Sequence, residues 1–514
     1  MLFDITIIGF GVIGVETLYG IQKILLKKKS KNKIKIAIVE KNLKNIPGGV
    51  AYSQENSKFG YFNNPLRLSH PDFIEWFKIN DNKNRLINFS ENNLKYKLTT
   101  WLNNNKEILN KKFVDYKEIY LPRLIYSFYL RDKIIKFLNL KKRINISLKF
   151  YNGEVHDLNN LRHYNIFPKY KFNEFSINSK NEKLLLKKHK SKSSNIIKSK
   201  KIVIGTGIVP PKKIKEIKTY KNSNYIWDFY STGGTNNLIK KINKIYKIKK
   251  DINIIFIGNK AGLLETMQEI EKLITKNEIN IKITCISKNT QTLQKAERSK
   301  KFDDFKFKHL NNKNIHKIKK AEHVLKLLKS EFKNAKLDGF NKYDVWTNVL
   351  KNKIISICYN QLNEKEKKIY NLLIFPLIRN MTRYTYPDTV SAKNRLERKN
   401  KIKFIKDRVV KIIKNKDKLI LKTKNKKSIN GDIAINVSGP VSIEDNKNEI
   451  QFISSLKKIT KKFNGRGFTP NKNFMLEKDL YIPGTLSNNF NPGRETIIKA
   501  ITKNSHKVAK NIFI

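Results

Sequence analysis

Apolar residues run almost unbroken from Ile5 to Ile8, give way to the glycine-rich stretch Gly9-Phe-Gly11-Val-Ile-Gly14, and resume through Val15 to about Leu26. The pattern predicts a short strand, a tight turn and a helix. A polar turn, Lys27 to Lys33, follows. Ile34 to Val39 then predicts a second strand that ends on Glu40. Further along, Phe73, Trp76 and Phe77 make an apolar face on a short helix, and Pro122 opens an amphipathic helix to about residue 138. Residues 145–200 alternate and carry strands such as Ile146 to Tyr151, with the Lys-rich stretch 182–201 read as a solvated hairpin or loop. Lys201 to Ile204 predicts a strand running into Gly205-Thr206-Gly207.

A second strand–turn–helix–strand pattern spans 251–288. Its strand is Ile252 to Ile257, its turn Gly258-Asn-Lys260-Ala-Gly262, and its next strand Ile279 to Ile286, ending at Ser287-Lys288. Residues 316–351 and 360–400 read as helical, the latter interrupted around Tyr384 to Asp388. Val409 to Thr423 alternates as a hairpin. Asp432 to Val437 is a strand running into Ser438-Gly439-Pro440, and Leu480 to Ile482 is a strand leading to Gly484-Thr485. A polar loop to Arg494 and a helix from Glu495 to Ile512 follow.

The first pattern has a chemical reason at each residue. Gly9 allows the tight turn, Gly11 lets the backbone approach a pyrophosphate, and Gly14 lets the helix pack on the strand. The N–H groups and dipole of the helix start favour phosphate. Glu40 at the end of the second strand can accept a bond from an adenosine 2′-OH, which suits FAD or NAD. Gly48-Gly49 suggests close backbone approach after that strand. In the second turn Lys260 stands where a glycine is expected and can contact phosphate itself. Ser287-Lys288 in place of an acid permits a 2′-phosphate and favours NADPH over NADH. Asp4, Glu16 and Gln22 interrupt the first apolar run, which speaks against a membrane segment or signal peptide there.

Length and charge change little. A chain of 514 residues has room for two or more domains. The formal net charge of +64 invites a polyanion-binding reading. The excess is mostly lysine, however, spread along the chain with heavy Asn and Ile use, as A/T-rich codons would give. No zinc-finger, RNP or arginine-rich motif accompanies it, so no specific nucleic-acid partner is expected. Cys285 and Cys358, each in an apolar run read as strand, are expected to be buried thiols. The eight histidines show no ligand spacing, and no metal site is expected. No apolar stretch reaches the length of a membrane span; a soluble, cytoplasmic protein is expected.

The order of these pieces resembles flavoproteins with two dinucleotide-binding domains. More narrowly, it is similar to FAD/NAD(P)-binding proteins related to flavin-dependent monooxygenases, including lysine and ornithine N-hydroxylases and a urate hydroxylase-like branch. Gly9–Gly14, Gly48-Gly49-Val-Ala-Tyr52, Asn63-Asn64-Pro65-Leu66-Arg67-Leu68-Ser69, Leu121-Pro122-Arg123-Leu-Ile-Tyr126, Gly205–Gly207, Gly258–Glu265, Asn380–Leu396 and Ile435–Pro440 carry the likeness. Lys260, and Gly484-Thr485 in place of the usual Gly-Asp, depart from it. The resemblance implies an α/β protein with two Rossmann-like, three-layer ββα domains. An FAD domain of residues 1–215 plus 425–514 would hold an inserted NAD(P)H domain, 220–400, with a helical insert. FAD would contact Gly9, Gly11, Gly14, Glu40, Gly49, Tyr52, Asn63, Arg67, Gly205, Thr206, Gly207, Gly439 and Gly484. NADPH would contact Gly258, Lys260, Gly262, Ser287 and Lys288. NADPH would reduce FAD, and a flavin hydroperoxide would hydroxylate a small-molecule substrate. Asn63, Asn64 and Arg67 either face the flavin or shape the loop at Pro65; Arg123 reaches a cofactor or pairs with an acid. An FAD-dependent reductase or dehydrogenase without oxygenation is the alternative, and a non-catalytic flavoprotein remnant or polyanion-binding protein the next.

Overall fold

In the computed structural model the first apolar run forms β1, Leu2–Ile8, followed by helix α1, Val12–Lys28, and strand β2, Ile34–Glu40. The structure describes residues 2–513 except 29–31, 43–44, 54–59, 92–100, 102–104, 106, 108, 141–143, 161–162, 179–182, 191–194, 208, 212, 218–223, 232, 278, 300–301, 416–417, 441–442, 445–450, 465–466 and 488–495. The expected loop to Arg494 and the expected helix start at Glu495 lie outside the described residues. Ile5, Ile7 and Ile8 are all buried because both faces of the sheet are covered, which explains why β1 does not alternate. Lys27 and Lys28 end α1 where its dipole favours cations.

Helix α2 is Pro71–Lys78 and α3 is Arg123–Leu140, each with proline near its start. A meander follows, β3 (Ile146–Asn160), β4 (His163–Asn178) and β5 (Lys183–Lys190), and then β6, Asn195–Ile204. β1 lies between β2 and β6, parallel to both, with Ile8 level with Val39 and Ile204. Leu480–Tyr481 extends the sheet beyond β6, also in parallel. Chain order therefore reverses at β1, and Gly9, Glu40, Gly205 and Gly484 follow the carboxyl ends of four strands of one sheet. Ligands of open α/β sheets bind outside such a reversal. The apolar faces of α1, α3 and the C-terminal helix Ile497–Ile512 cover one side of the sheet. Phe452, Leu456 and Ile482 pack on the other.

The second sheet is built from β7 (Tyr225–Ile226), β8 (Asp251–Ile257), β9 (Asn280–Ser287), β10 (Ile402–Lys406) and Ile433–Asn436. All its pairings are parallel, in the order β10, β9, β8, Ile433–Asn436, β7. Helices α4 (Gly234–Tyr246), α5 (Ala261–Asn277) and α6 (Pro387–Arg398) cover one face. A mainly antiparallel sheet containing the expected hairpin, Val409–Asn415 with Lys418–Thr423, covers the other through Ile412 and Leu421. The second unit is thus three-layered, a parallel sheet between helices and a mainly antiparallel sheet, while in the first the meander continues the main sheet and helix Gln451–Ile459 packs on its second face. A helical bundle with its own core inserts between β9 and β10.

Two expectations are corrected. Ile433–Asn436 was expected in the first unit from residue 425 onward, but it hydrogen-bonds to β8 in the second sheet. Ile354 to Cys358 was expected as strand and is helix, Ile354–Gln361. Ile354, Ile355 and Cys358 all point into the bundle core, a helical spacing that outweighs the β-branched composition. Both cysteines are free and buried, as expected. Burial pushes the Cys358 thiol up to about 12. Among the described residues no helix is long and apolar enough to cross a membrane, and no cluster of metal-ligating side chains occurs.

Candidate functional site

The first glycine turn is built by close backbone contacts. Gly9 has φ +90°, a left-handed conformation, and a Cβ there would lie 2.7 Å from the Gly205 carbonyl oxygen. A Cβ on Gly14 would meet the Gly9 carbonyl oxygen at 2.5 Å, which is how α1 sits down on the end of β1. Gly11 bridges to Gly48, and a Cβ on it would come 3.2 Å from the Gly49 Cα. The 48–49 segment thus closes over the turn, as its double glycine suggested. Gly484 presses on α1 from the other side: a Cβ there would lie 2.1 Å from Ile13 Cδ1. The next side chain, Thr485, has a buried hydroxyl with no hydrogen-bond partner.

Glu40 ends β2 and holds this turn. Its Oε2 accepts the Phe10 N–H at 2.8 Å and its Oε1 the Asn42 N–H at 3.0 Å. Burial pushes its carboxyl above the usual glutamate range, against the pull of those backbone bonds. The acid therefore links the glycine turn to the end of β2, where an adenosine ribose would come. Gly207 has φ +79° and open space around it, and Thr206 is exposed. Tyr52 packs with Phe62 and Tyr126, ring centroids at 5.8 and 5.2 Å, so packing accounts for it.

The second turn repeats the construction. Gly258 has φ +105°, donates its N–H to Ile286 O at 2.8 Å, and would strike Ser438 Cα at 2.8 Å with any Cβ. A Cβ on Gly262 would strike Val437 Cγ1 at 2.7 Å. Gly439 follows directly, so the structure places it beside the second turn rather than the first, for the reason that moves Ile433–Asn436. Lys260 Nζ donates to Gln291 O at 2.6 Å, and Asn259 Nδ2 donates to Asn289 O at 2.5 Å. Both tie the turn to the loop after β9. Ser287 Oγ donates to Asn289 O at 2.5 Å in the same loop, and Lys288 is exposed beside it. Burial and the nearby Arg383 charge lower the Lys260 pKa.

The two units meet at the start of α5, one turn past Lys260. Arg123 Nη1 lies 3.3 Å from Glu265 Oε2, and Arg123 Nε donates to Tyr61 O at 3.0 Å. Both partners are largely buried. Of the two roles the sequence left open for Arg123, pairing with an acid is the one observed. Tyr61 stacks on Tyr386 with centroids 4.1 Å apart, and Thr385 Oγ1 donates to Asn63 Oδ1 at 3.3 Å. Tyr120 and Tyr343 hydroxyls hydrogen-bond farther along the seam. Arg67 turns elsewhere: its Nε donates to Glu118 Oε1 at 2.6 Å, and that same oxygen lies 2.7 Å from Arg298 Nη2. Sequence reasoning missed Glu265, Glu118 and Arg298. Their only local signal is a charged side chain close to the predicted glycine and Asn-Pro motifs or helical insert.

Two sheets with parallel central strands, each ending in a glycine turn and a helix, with the first unit's loops on the second unit's helix start, form a two-unit Rossmann-like α/β architecture. Residues 6–165 match the family model described as FAD-NAD(P)-binding. Uncharacterized proteins of Mycobacterium tuberculosis and Mycobacterium bovis are 23% identical over 282 residues, which covers 52% of this chain and 47% of theirs. The chain thus spans about half the length of the curated relatives it matches. Among solved structures, the ornithine N-hydroxylase of Kutzneria sp. 744 is similar over 100% of this chain and 99% of its own, at TM-score 0.50 and 10% identity. L-lysine 6-monooxygenase from Pseudomonas syringae is similar over 99% of each chain, at TM-score 0.49 and 9% identity. At such identity the likeness is one of fold.

Proposed function

We propose that the chain is an FAD- and NADPH-dependent oxidoreductase and, within that class, a monooxygenase that hydroxylates a small-molecule substrate. One juxtaposition carries the reading: Arg123, on the unit with the first glycine turn, pairs with Glu265, one turn past the second. Each unit has the cradle that a dinucleotide needs, and the pairing brings the start of the second helix against the loops of the first unit. We assign residues 1–207 and about 451–514 to the FAD-binding unit, and the sheet from Tyr225 to Asn436, with Lys215–Ile217 paired to Val409–Asn415, to the NADPH-binding unit.

Bound FAD and NADPH would supply the electron transfer and the oxygen chemistry. The chain's own part is to bind, orient and exclude water. Gly9, Gly11, Gly14, Gly49, Gly205, Thr206, Gly207 and Gly484 would surround the FAD phosphates, with Glu40 at the adenosine. Gly258, Lys260, Gly262, Gly439, Ser287 and Lys288 would hold NADPH. Lys260 and Lys288, with Arg383 near Lys260 and no acid after β9, favour the 2′-phosphate form. Tyr61, Tyr386 and the Arg123–Glu265 pair fill the seam and keep water from it.

The test is an absorption spectrum of purified protein before and after anaerobic NADPH. Flavin bands that bleach with NADPH, followed by substrate-dependent oxygen uptake coupled to a hydroxylated product, are expected. Flavin that bleaches only with dithionite would overturn the NADPH assignment. NADPH oxidation that never couples to product would leave a reductase. Absence of flavin after reconstitution would overturn the whole reading.

A further inference from the structure

A cavity of about 340 Å³ lies away from both glycine turns, between the loops carrying Arg67 and Glu118, the helical insert and the start of the C-terminal helix. Its size falls within the ~300–1,000 Å³ range of small-molecule sites. Arg67, Lys117, Arg298, Lys351, Lys353 and Lys499 line it. Glu118 and Asp303 are its only carboxylates. Six cations against two acids leave a surplus of four charges around one concave space.

The arginines sharpen the argument. The chain has 93 lysines and 14 arginines, so a cation drawn at random here is a lysine. Two of these six are arginines, on segments far apart in sequence, and both contact one oxygen of Glu118, Arg67 at 2.6 Å and Arg298 at 2.7 Å. One acid therefore serves two guanidinium groups. A terminal nitrogen of Arg67 and the Nε of Arg298 are buried without a hydrogen-bond partner among the described residues. Arg298 also stacks 3.6 Å above the Phe302 ring, which holds its fork in place. Planar forks with free donors match carboxylate and phosphate oxygens in a way lysine does not. Lys117, Lys351, Lys353 and Lys499 have no carboxylate partner among the described residues.

We infer that this cavity binds a small molecule carrying two or more carboxylate or phosphate groups, anchored by Arg67 and Arg298 and surrounded by the lysines. The inference does not need the redox reading; if both hold, the anionic molecule is a candidate substrate.

The experiment is calorimetric titration of the protein as purified with citrate and with inorganic pyrophosphate, against acetate at equal ionic strength. One saturable site for citrate, pyrophosphate or both, absent for acetate, is expected. Arg298→Gln should weaken it at least tenfold, and Arg298→Lys should restore only part of the loss. Lys326→Gln with Lys329→Gln, exposed on the helical insert, should leave it unchanged. If Arg298→Gln does not fold, Lys351→Gln with Lys353→Gln decides, with at least a threefold weakening expected. No saturable site, or a site indifferent to the cavity variants, overturns the inference; so does a loss equally caused by the control pair. Flavin absorbance read on the same samples reports the redox reading separately.

Discussion

Lys133→Met would strip the lysine partner from a charge that has no access to water. Glu16, on α1, is fully buried, and Lys133, on α3, is 6% exposed. Lys133 Nζ donates to both Glu16 oxygens at 2.8 and 2.7 Å, and His506 Nε2 of the C-terminal helix lies 3.1 Å from Oε2. Burial would raise the Glu16 pKa, but the Lys133 charge and the hydrogen bonds from His506 and Lys133 hold it below the usual glutamate range. Removing one partner of a buried pair costs about 3–5 kcal/mol. That corresponds to a fall in the unfolding temperature of the first unit of roughly 6–20 °C. The sign with pH follows. In the native protein the lowered folded pKa makes Glu16 stabilising above its unfolded value, and this is lost as pH falls through the folded one. In the variant, burial is opposed by His506 without the Lys133 charge and the folded pKa rises, so the penalty is full at neutral pH and fades as Glu16 protonates. The gap between the two proteins, measured by calorimetric or fluorescence melts from pH 8 to pH 5, should therefore narrow with acid. Glu16→Leu combined with Lys133→Met should recover most of the loss. A gap constant with pH, or a double variant as unstable as the single one, would refute the reasoning.

Gly9→Ala forces a side chain into φ +90° and against the Gly205 carbonyl, so melts should show loss of at least about 1–3 kcal/mol, with flavin absorbance falling alongside. Glu40→Ala frees the Phe10 N–H from its acceptor; FAD affinity should drop roughly tenfold or more, read by fluorescence titration, while Glu40→Gln, which keeps an acceptor oxygen, should lose less. Lys260→Ala should raise KM for NADPH more than KM for NADH and leave flavin content unchanged, because its ammonium sits on the second turn only. Equal effects on the two nicotinamides would remove Lys260 from the 2′-phosphate assignment.

The glycine turns were legible because their causes are local. Gly9, Gly11 and Gly14 stand at fixed offsets from a strand, and the close contacts they permit need no knowledge of distant chain. Glu40 was legible in position but not in partner, since the Phe10 amide comes from the turn itself. Arg123 was ambiguous because its acid, Glu265, belongs to the other unit and only docking brings the two together. Ile433–Asn436 misled us because a strand running into Ser-Gly-Pro looks like Lys201–Gly207; hydrogen bonding to β8, not composition, decides its sheet. Cys358 shows the reverse case, a short apolar run whose strand and helix readings differ only in which neighbours it finds. The cationic cavity was invisible for a third reason: its lysines look like all the others until the fold gathers them.

The packing of the C-terminal helix on α1 sets an order on biosynthesis. Gly20 leaves room for Ala509, whose Cβ would be 2.8 Å from any Cβ at that glycine, and Lys201 Nζ donates to Ile512 O at 2.5 Å. Residues of α1 thus await contacts from residues made close to five hundred codons later. The stretch from Tyr225 to Asn436 holds every strand of its parallel sheet and is ready to fold well before that. The order of synthesis therefore predicts a nascent stage with the inner unit formed and α1 still lacking its C-terminal partner.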